Sequence, residues 1–285
     1  MKTKTIIFAL LLLISTSLFS QEKLKGNGFT SVIKNELEAF HKISIHNDFK
    51  ITLIKSDTPA IEIETDENLH ESINYSVTDS LFKIETSYKL KPKKTLNITL
   101  FCTNNLKEIE LNEDTEIETL NTLNFTNIIL KINDYAKANM SIKSDTLKLV
   151  NNNISKIQLR SKTKLNIESI VTDFTINGSS NTQAVVKSDL LNIALKDRAS
   201  LSIEGNTNNL TATTKGSSDF KGSNLNAKKA TIVTKDNTEL AIQAFESINI
   251  EASDKSKIEL YGNAKISLNK FTDTAKLYKK QHNSK

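Results

Sequence analysis

From Ile117 onward, an apolar or small residue heads a short alternating segment about every twenty positions. The heading residues are Ile117, Met140, Ile157, Ala184, Leu201, Phe220, Leu240, Ile258 and Leu277. Two places before each stands a small residue: Thr115, Ala138, Ser155, Thr182, Ala199, Ser218, Thr238, Ser256 and Ala275. Eight places before all but the last stands another small or apolar one: Ile109, Ile132, Leu149, Ile176, Ile193, Ala212, Ile232 and Ile250. Side chains alternate across a strand, so Leu191, Ile193, Leu201 and Ile203 share one face, as do Ile248, Ile250, Ile258 and Leu260. Lys, Asn, Glu, Ser and Thr fill most of the intervening positions, which makes one face core and the other solvent.

Between the paired strands a constant interval carries turn formers: Asn133-Asp134, Asn177-Gly178, Lys196-Asp197, Lys215-Gly216, Asp236-Asn237 and Asp254. Asn, Asp and Gly tolerate the left-handed backbone of a sharp corner, and the small residue sits just inside it. A repeat of this length made of strand-like pieces predicts an all-β chain, a parallel β-helix (β-solenoid) of about nine rungs. At about 4.8 Å between stacked strands the rod is roughly 40 Å long. The steps between heading residues vary, and the longest contains Leu165-Asn166-Ile167-Glu168, read as an extra strand or a protruding loop.

Ahead of the repeat, residues 41–105 hold longer alternating strands: Ile43–Ile45, Phe49–Leu53, Ile61–Glu64, Leu81–Glu85 and Leu96–Leu100. Their period is that of half-buried strands, and they predict a strand-rich cap on the coil. Thr65 to Ile73 fits one short helical turn. Residues 21–40 read as a polar, irregular segment with Gly26 and Gly28, and residues 280–285 as a basic tail. No Pro- or Gly-rich linker separates cap from repeat, so residues 41–279 form one body, 41–105 the head strands and 106–279 the rungs.

The first twenty residues read as a cleavable signal peptide: Lys2 and Lys4, the apolar run Ile6–Ile14, then Ser15–Ser20. The run is roughly ten residues, short of the about twenty that span a bilayer, and no later stretch is long and apolar enough either. Without Lys2 and Lys4 the formal charge of +5 falls to +3, a weak balance for 285 residues. Nearly all cations are Lys, with Arg160 and Arg198 the two arginines, and Lys on outward faces and edges discourages aggregation. Nucleic-acid binding calls for Arg and aromatics grouped on one face, so no nucleic-acid partner is expected. Cys102 is alone and continues a strand, a buried structural thiol, so the exported chain is held by stacking rather than disulfides.

Phosphate loops, zinc spacings and nucleophile elbows are missing from the sequence. Of His41, His46, His70 and His282, the first two fall on opposite faces of one strand and make a poor metal pair. Asn112-Glu113-Asp114 comes nearest to a calcium corner but does not recur from rung to rung. A polysaccharide-cleaving β-helix needs two or three acids on one face of a cleft. Glu239, Asp236 and Asp219 could cluster on neighbouring corners, as could Glu168 with Asp173. The chain has no Trp and 6% aromatics, which leaves few sugar-stacking platforms. No catalytic, metal or cofactor-binding residues are therefore assigned.

The strand order of residues 41–105 followed by this coil resembles the bacterial auto-transporter adhesin family with a head GIN domain. Phe40–Ile45, Phe49–Leu53, Ile61–Leu69 with its Asp66-Glu67-Asn68, and Leu81–Ile84 carry the resemblance. The corners Asn177-Gly178-Ser179-Ser180 and Lys215-Gly216-Ser217-Ser218 resemble the family's Gly-Ser-Gly turns, and Leu260-Tyr261-Gly262-Asn263-Ala264 its closing Tyr-Gly-x-Pro motif. Glycine is scarcer here, and Ala264 stands where the family often has Pro. The resemblance implies a secreted or envelope-associated β-helix with no established activity. The expected function is an exported, non-catalytic adhesion, binding or scaffold module whose partner is an envelope protein or a glycan. The alternatives are a carbohydrate-active β-helix enzyme and an envelope-stress or assembly factor.

Overall fold

A computed structural model describes residues 22–153 and 162–281. The expected signal peptide, Ser155, Ile157, Arg160 and His282 lie outside the described residues. The coil begins with β1 (Lys23–Lys25), β2 (Thr30–Glu36), β3 (Lys42–Ile45), β4 (Lys50–Lys55) and β5 (Ala60–Asp66). A 3-10 turn over Glu67–Ser72 follows, as the sequence predicts, burying Leu69. Next come β6 (Asn74–Thr78), β7 (Leu81–Glu85), β8 (Lys89–Lys91), β9 (Leu96–Cys102), β10 (Glu108–Leu111) and β11 (Glu116–Thr119). The long rungs are β12 (Leu123–Asn133), β13 (Lys137–Asn153), β14 (Lys162–Gly178), β15 (Asn181–Leu195), β16 (Ser200–Thr214), β17 (Asp219–Thr234) and β18 (Glu239–Ala252). β19 (Lys257–Tyr261), β20 (Lys265–Phe271) and β21 (Lys276–Lys279) close the coil. Among the described residues, no helix is long and apolar enough to cross a membrane.

Parallel, in-register stacking runs from β3 and β4 through β10 and β11 to the last rung. Ile51 stacks on Ile117 and Ile117 on Ala138, while farther along Thr182, Leu201, Phe220, Leu240, Ile258 and Leu277 form one file. The solenoid has about eight turns, one fewer than the nine rungs expected, because nine heading levels bound eight steps. One hydrophobic cluster runs unbroken from Phe40 in the cap to Leu260 near the far end.

Two described heading residues are displaced, and at the level between them Thr163 of β14, rather than Ile157, is the neighbour of Thr182. Met140 lies two places beyond Ala138, and Ala184 two places beyond Thr182, which is the true neighbour of Leu201. A two-residue slip keeps every side chain on its face, so alternation tolerates it. Corrected, the small residues inside the corners become Thr115, Ala136, Ser180, Ala199, Ser218, Thr238 and Ser256, all buried. The correction also removes the expected extra strand: Leu165–Glu168 belongs to β14 and pairs with Met140–Lys143 and Ala184–Lys187.

The described corners each carry a left-handed residue: Asn47, Glu113, Asp134, Gly178, Asp197, Gly216, Asp236, Asp254 and Asp273, with φ between 54° and 82°. Non-glycine residues resist this conformation by about 1–2 kcal/mol, less for Asn and Asp. Hydrogen bonds offset that cost. The carboxylates of Asp134, Asp197, Asp236, Asp254 and Asp273 each accept the corner N–H of the preceding level, at 2.9–3.2 Å. Beside them Asn112, Asn133, Asn152 and Asn177 pass side-chain hydrogen bonds along an amide ladder. The turn residues of the sequence are thus also rung-to-rung ties.

At the start of the coil, β5 joins β9 and β2 in antiparallel fashion, and β6 joins β7. Residues 21–40 are therefore not irregular. β2 escaped recognition because it is an edge strand with Val32 to Glu36 all exposed, so no buried face imposes alternation. Buried Asp66 ties this region together, accepting the N–H groups of Gly28 and Lys93.

Candidate functional site

Each long rung bends once near its middle. In β15 the strict alternation of buried and exposed residues slips at Asp189-Leu190, both exposed, and pairing with β16 skips from Ser188 to Leu190. In four successive rungs the residue inside the bend is a hydroxyl: Ser144, Ser169, Ser188 and Thr207 occupy one stacked file, continued by Phe125 on one side and Ala227 and Ala244 on the other. The hydroxyl turns back onto carbonyls that the bend frees from the ladder. Ser188 Oγ donates to the carbonyls of Ile170 (3.2 Å) and Leu190 (2.9 Å), and Thr207 Oγ1 to those of Asp189 (3.4 Å) and Asn209 (3.1 Å). Ser169 bonds Thr172, whereas the buried hydroxyl of Ser144 has no partner.

Stacking these bends produces a groove of about 680 Å³ on the outer surface, running from Phe125 on β12 to Phe245 on β18. One wall is a file that begins with charges and ends with amides. Glu168 stands between Lys143 (3.5 Å) and Lys187 (3.4 Å), and these ammonium groups hold its carboxyl below the usual range. Farther along, Gln243 donates to Asn226 (2.8 Å) and Asn226 to Asn206 (3.0 Å). On the other wall Asn208 donates to Asp189 at 2.8 Å.

Of the five carboxylates considered for hydrolysis, only Glu168 lines this groove. Flanked by two lysines, it is a poor proton donor. Asp173 accepts a hydrogen bond from Asn192 (2.7 Å) away from the groove, and Asp236 is engaged with the N–H of Gly216. Asp219 and Glu239 do stack in register, yet Asp219 is paired with Lys221 at 2.8 Å and neither borders the groove. His46 contacts Ser44 and His70 contacts Ser31, both at 3.0 Å, and His41 joins neither. Among the described residues, no group of three or more His, Cys, Asp or Glu is placed to hold a metal. Cys102 is buried and unpaired, and burial pushes its thiol up to about 11. Sequence reading missed the bend file because its signal, a Ser or Thr in four successive rungs, emerges only once the register is right.

The fold recurs in solved structures. A putative adhesin from Parabacteroides distasonis ATCC 8503 is 14% identical, with a TM-score of 0.65 over 90% of this chain and 100% of that one. A putative adhesin from Parabacteroides merdae ATCC 43184 gives 18% identity and 0.60, again over 90% and 100%. A structure from Parabacteroides distasonis ATCC 8503 described as a putative lipid binding protein gives 16% and 0.56, over 92% and 98%. No curated protein matches the sequence. The model of one family matches residues 39–169 and again 162–264, across cap and coil alike. The chain therefore belongs to the family described as putative auto-transporter adhesin, head GIN domain.

Proposed function

We propose that the protein is an exported, non-catalytic binding module of the cell envelope or extracellular surface. The groove along the bends carries this reading: a long surface feature that runs from β12 to β18. Its charges are neutralised lengthwise by Lys143, Glu168 and Lys187, which suits holding a ligand better than proton transfer to one. Family membership supports an adhesive role, and the signal-like N-terminus supports export. One fold neighbour is described as a putative lipid binding protein; here the exposed Ile170 and Phe245 share the groove with six charged side chains, which disfavours an acyl chain.

A pull-down of envelope proteins and glycans with the exported chain tests the reading, with a polysaccharide panel run in parallel for turnover. Retention of an envelope component without turnover is the expected result. Cleavage of any polysaccharide that is lost on Glu239→Gln or Asp219→Asn would replace the binding module with an enzyme.

A further inference from the structure

Three kinds of extended chain could lie in a groove of this shape, and the groove distinguishes among them. Its floor crosses seven successive strands, which at about 4.8 Å spacing makes it about 29 Å long. Peptides are commonly captured by adding a strand to a sheet edge. Here the floor strands pair with neighbours on both sides, and a chain along the axis crosses them, so peptide N–H and C=O groups find no open edge. An acyl chain would find Ile170 and Phe245 exposed, but it would also lie against Lys143, Asp145, Glu168, Lys187, Asp189 and Lys228, whose lost hydration it cannot replace.

A sugar chain fits this chemistry. Its hydroxyls donate and accept, matching amides and carboxylates in either sense. The three lysines on the walls, Lys143, Lys187 and Lys228, are balanced by Asp145, Glu168 and Asp189, so the groove selects neither charge sign. Phe245 stands 47% exposed at one end and offers a ring face to the apolar side of a sugar. Ser144, 6% exposed, holds an unused hydrogen-bond valence on the floor where Ser188 and Thr207 use theirs on carbonyls.

We propose that the groove binds a single neutral oligosaccharide chain lying along the solenoid axis across about six rungs. This rests on the binding-module reading above. The test is calorimetric titration of the exported full chain with neutral β-1,3-glucan, β-1,4-glucan and α-mannan oligosaccharides of graded length. At least one series should bind, with Kd falling tenfold or more as the chain lengthens and levelling once the groove is filled. Asn206→Trp, which puts a ring into the groove from an exposed wall position, should weaken binding tenfold or more. Thr211→Trp, exposed on the same rung but outside the groove, should leave it unchanged, with both variants melting like the parent. Equal binding by both variants would overturn the groove assignment. Absence of binding by every neutral series, or binding only of extended peptides, anionic polysaccharides or phospholipid vesicles, would overturn the neutral-glycan assignment. None of these results removes the binding-module reading, which falls instead if polysaccharide turnover appears.

Discussion

Asn151 and Thr182 make a polar interruption in the apolar interior, and their contribution can be worked from the structure. Asn151 is 1% exposed and stacks between Ile132 and Ile176, while Thr182 is fully buried beside Leu201 in its own file. The Asn151 amide donates to Thr182 Oγ1 at 3.0 Å, and its Oδ1 has no partner. Thr182→Val keeps the shape and removes that acceptor, leaving a buried amide wholly unpaired at a cost of about 1–3 kcal/mol. Asn151→Ile restores the isoleucine column and leaves only a hydroxyl unpaired, so its effect is near zero. The double variant replaces both polar partners with apolar groups of fitting shape and should be neutral or more stable than the parent. The two changes should therefore depart from additivity by about 1 kcal/mol or more. Urea unfolding followed by circular dichroism measures this, provided the slope is unchanged, with thermal shifts of about 2–4 °C per kcal/mol as a cross-check. A neutral Thr182→Val, or a double variant as unstable as the sum of the singles, would refute the reasoning.

Three further outcomes can be checked. Gly205 has φ of +116°, and a Cβ there would lie 2.0 Å from the carbonyl oxygen of Val186; Gly205→Ala should cost more than about 2 kcal/mol, measured as a drop in unfolding midpoint. The carboxyl of Asp254 is held below its ordinary value first by the N–H of Asp236 and then by Ser253. A lowered folded-state pKa contributes stability above the unfolded value that is lost as pH falls through the folded one, so the parent should lose stability in acid more steeply than Asp254→Asn; parallel slopes below pH of about 3.8 would count against the tie. Finally, with its thiol pushed up to about 11 and buried, Cys102 should resist alkylation at pH 8 while folded and react at once in denaturant.

The sequence by itself determined the solenoid, the identity of its inner face and the chemistry of its corners. Those depend on local rules: alternation follows from the pleat, and Asp254 or Gly216 reports a left-handed backbone wherever it stands. The heading residues from Leu201 to Leu277 were also legible, because strong apolar pairs recur there at nearly constant intervals. Only the tertiary structure decided the register at Ala138 and Thr182, since a slip of two residues preserves the face and costs nothing in pattern. Alignment of the left-handed corners forbids that slip, because the ties of Asp134 to Glu113 and of Asp197 to Gly178 hold only when each corner stands over the last. The groove was out of reach for the same reason: Phe125 and Phe245 lie far apart in sequence, and only the stacking of one bend upon another brings them to a common surface.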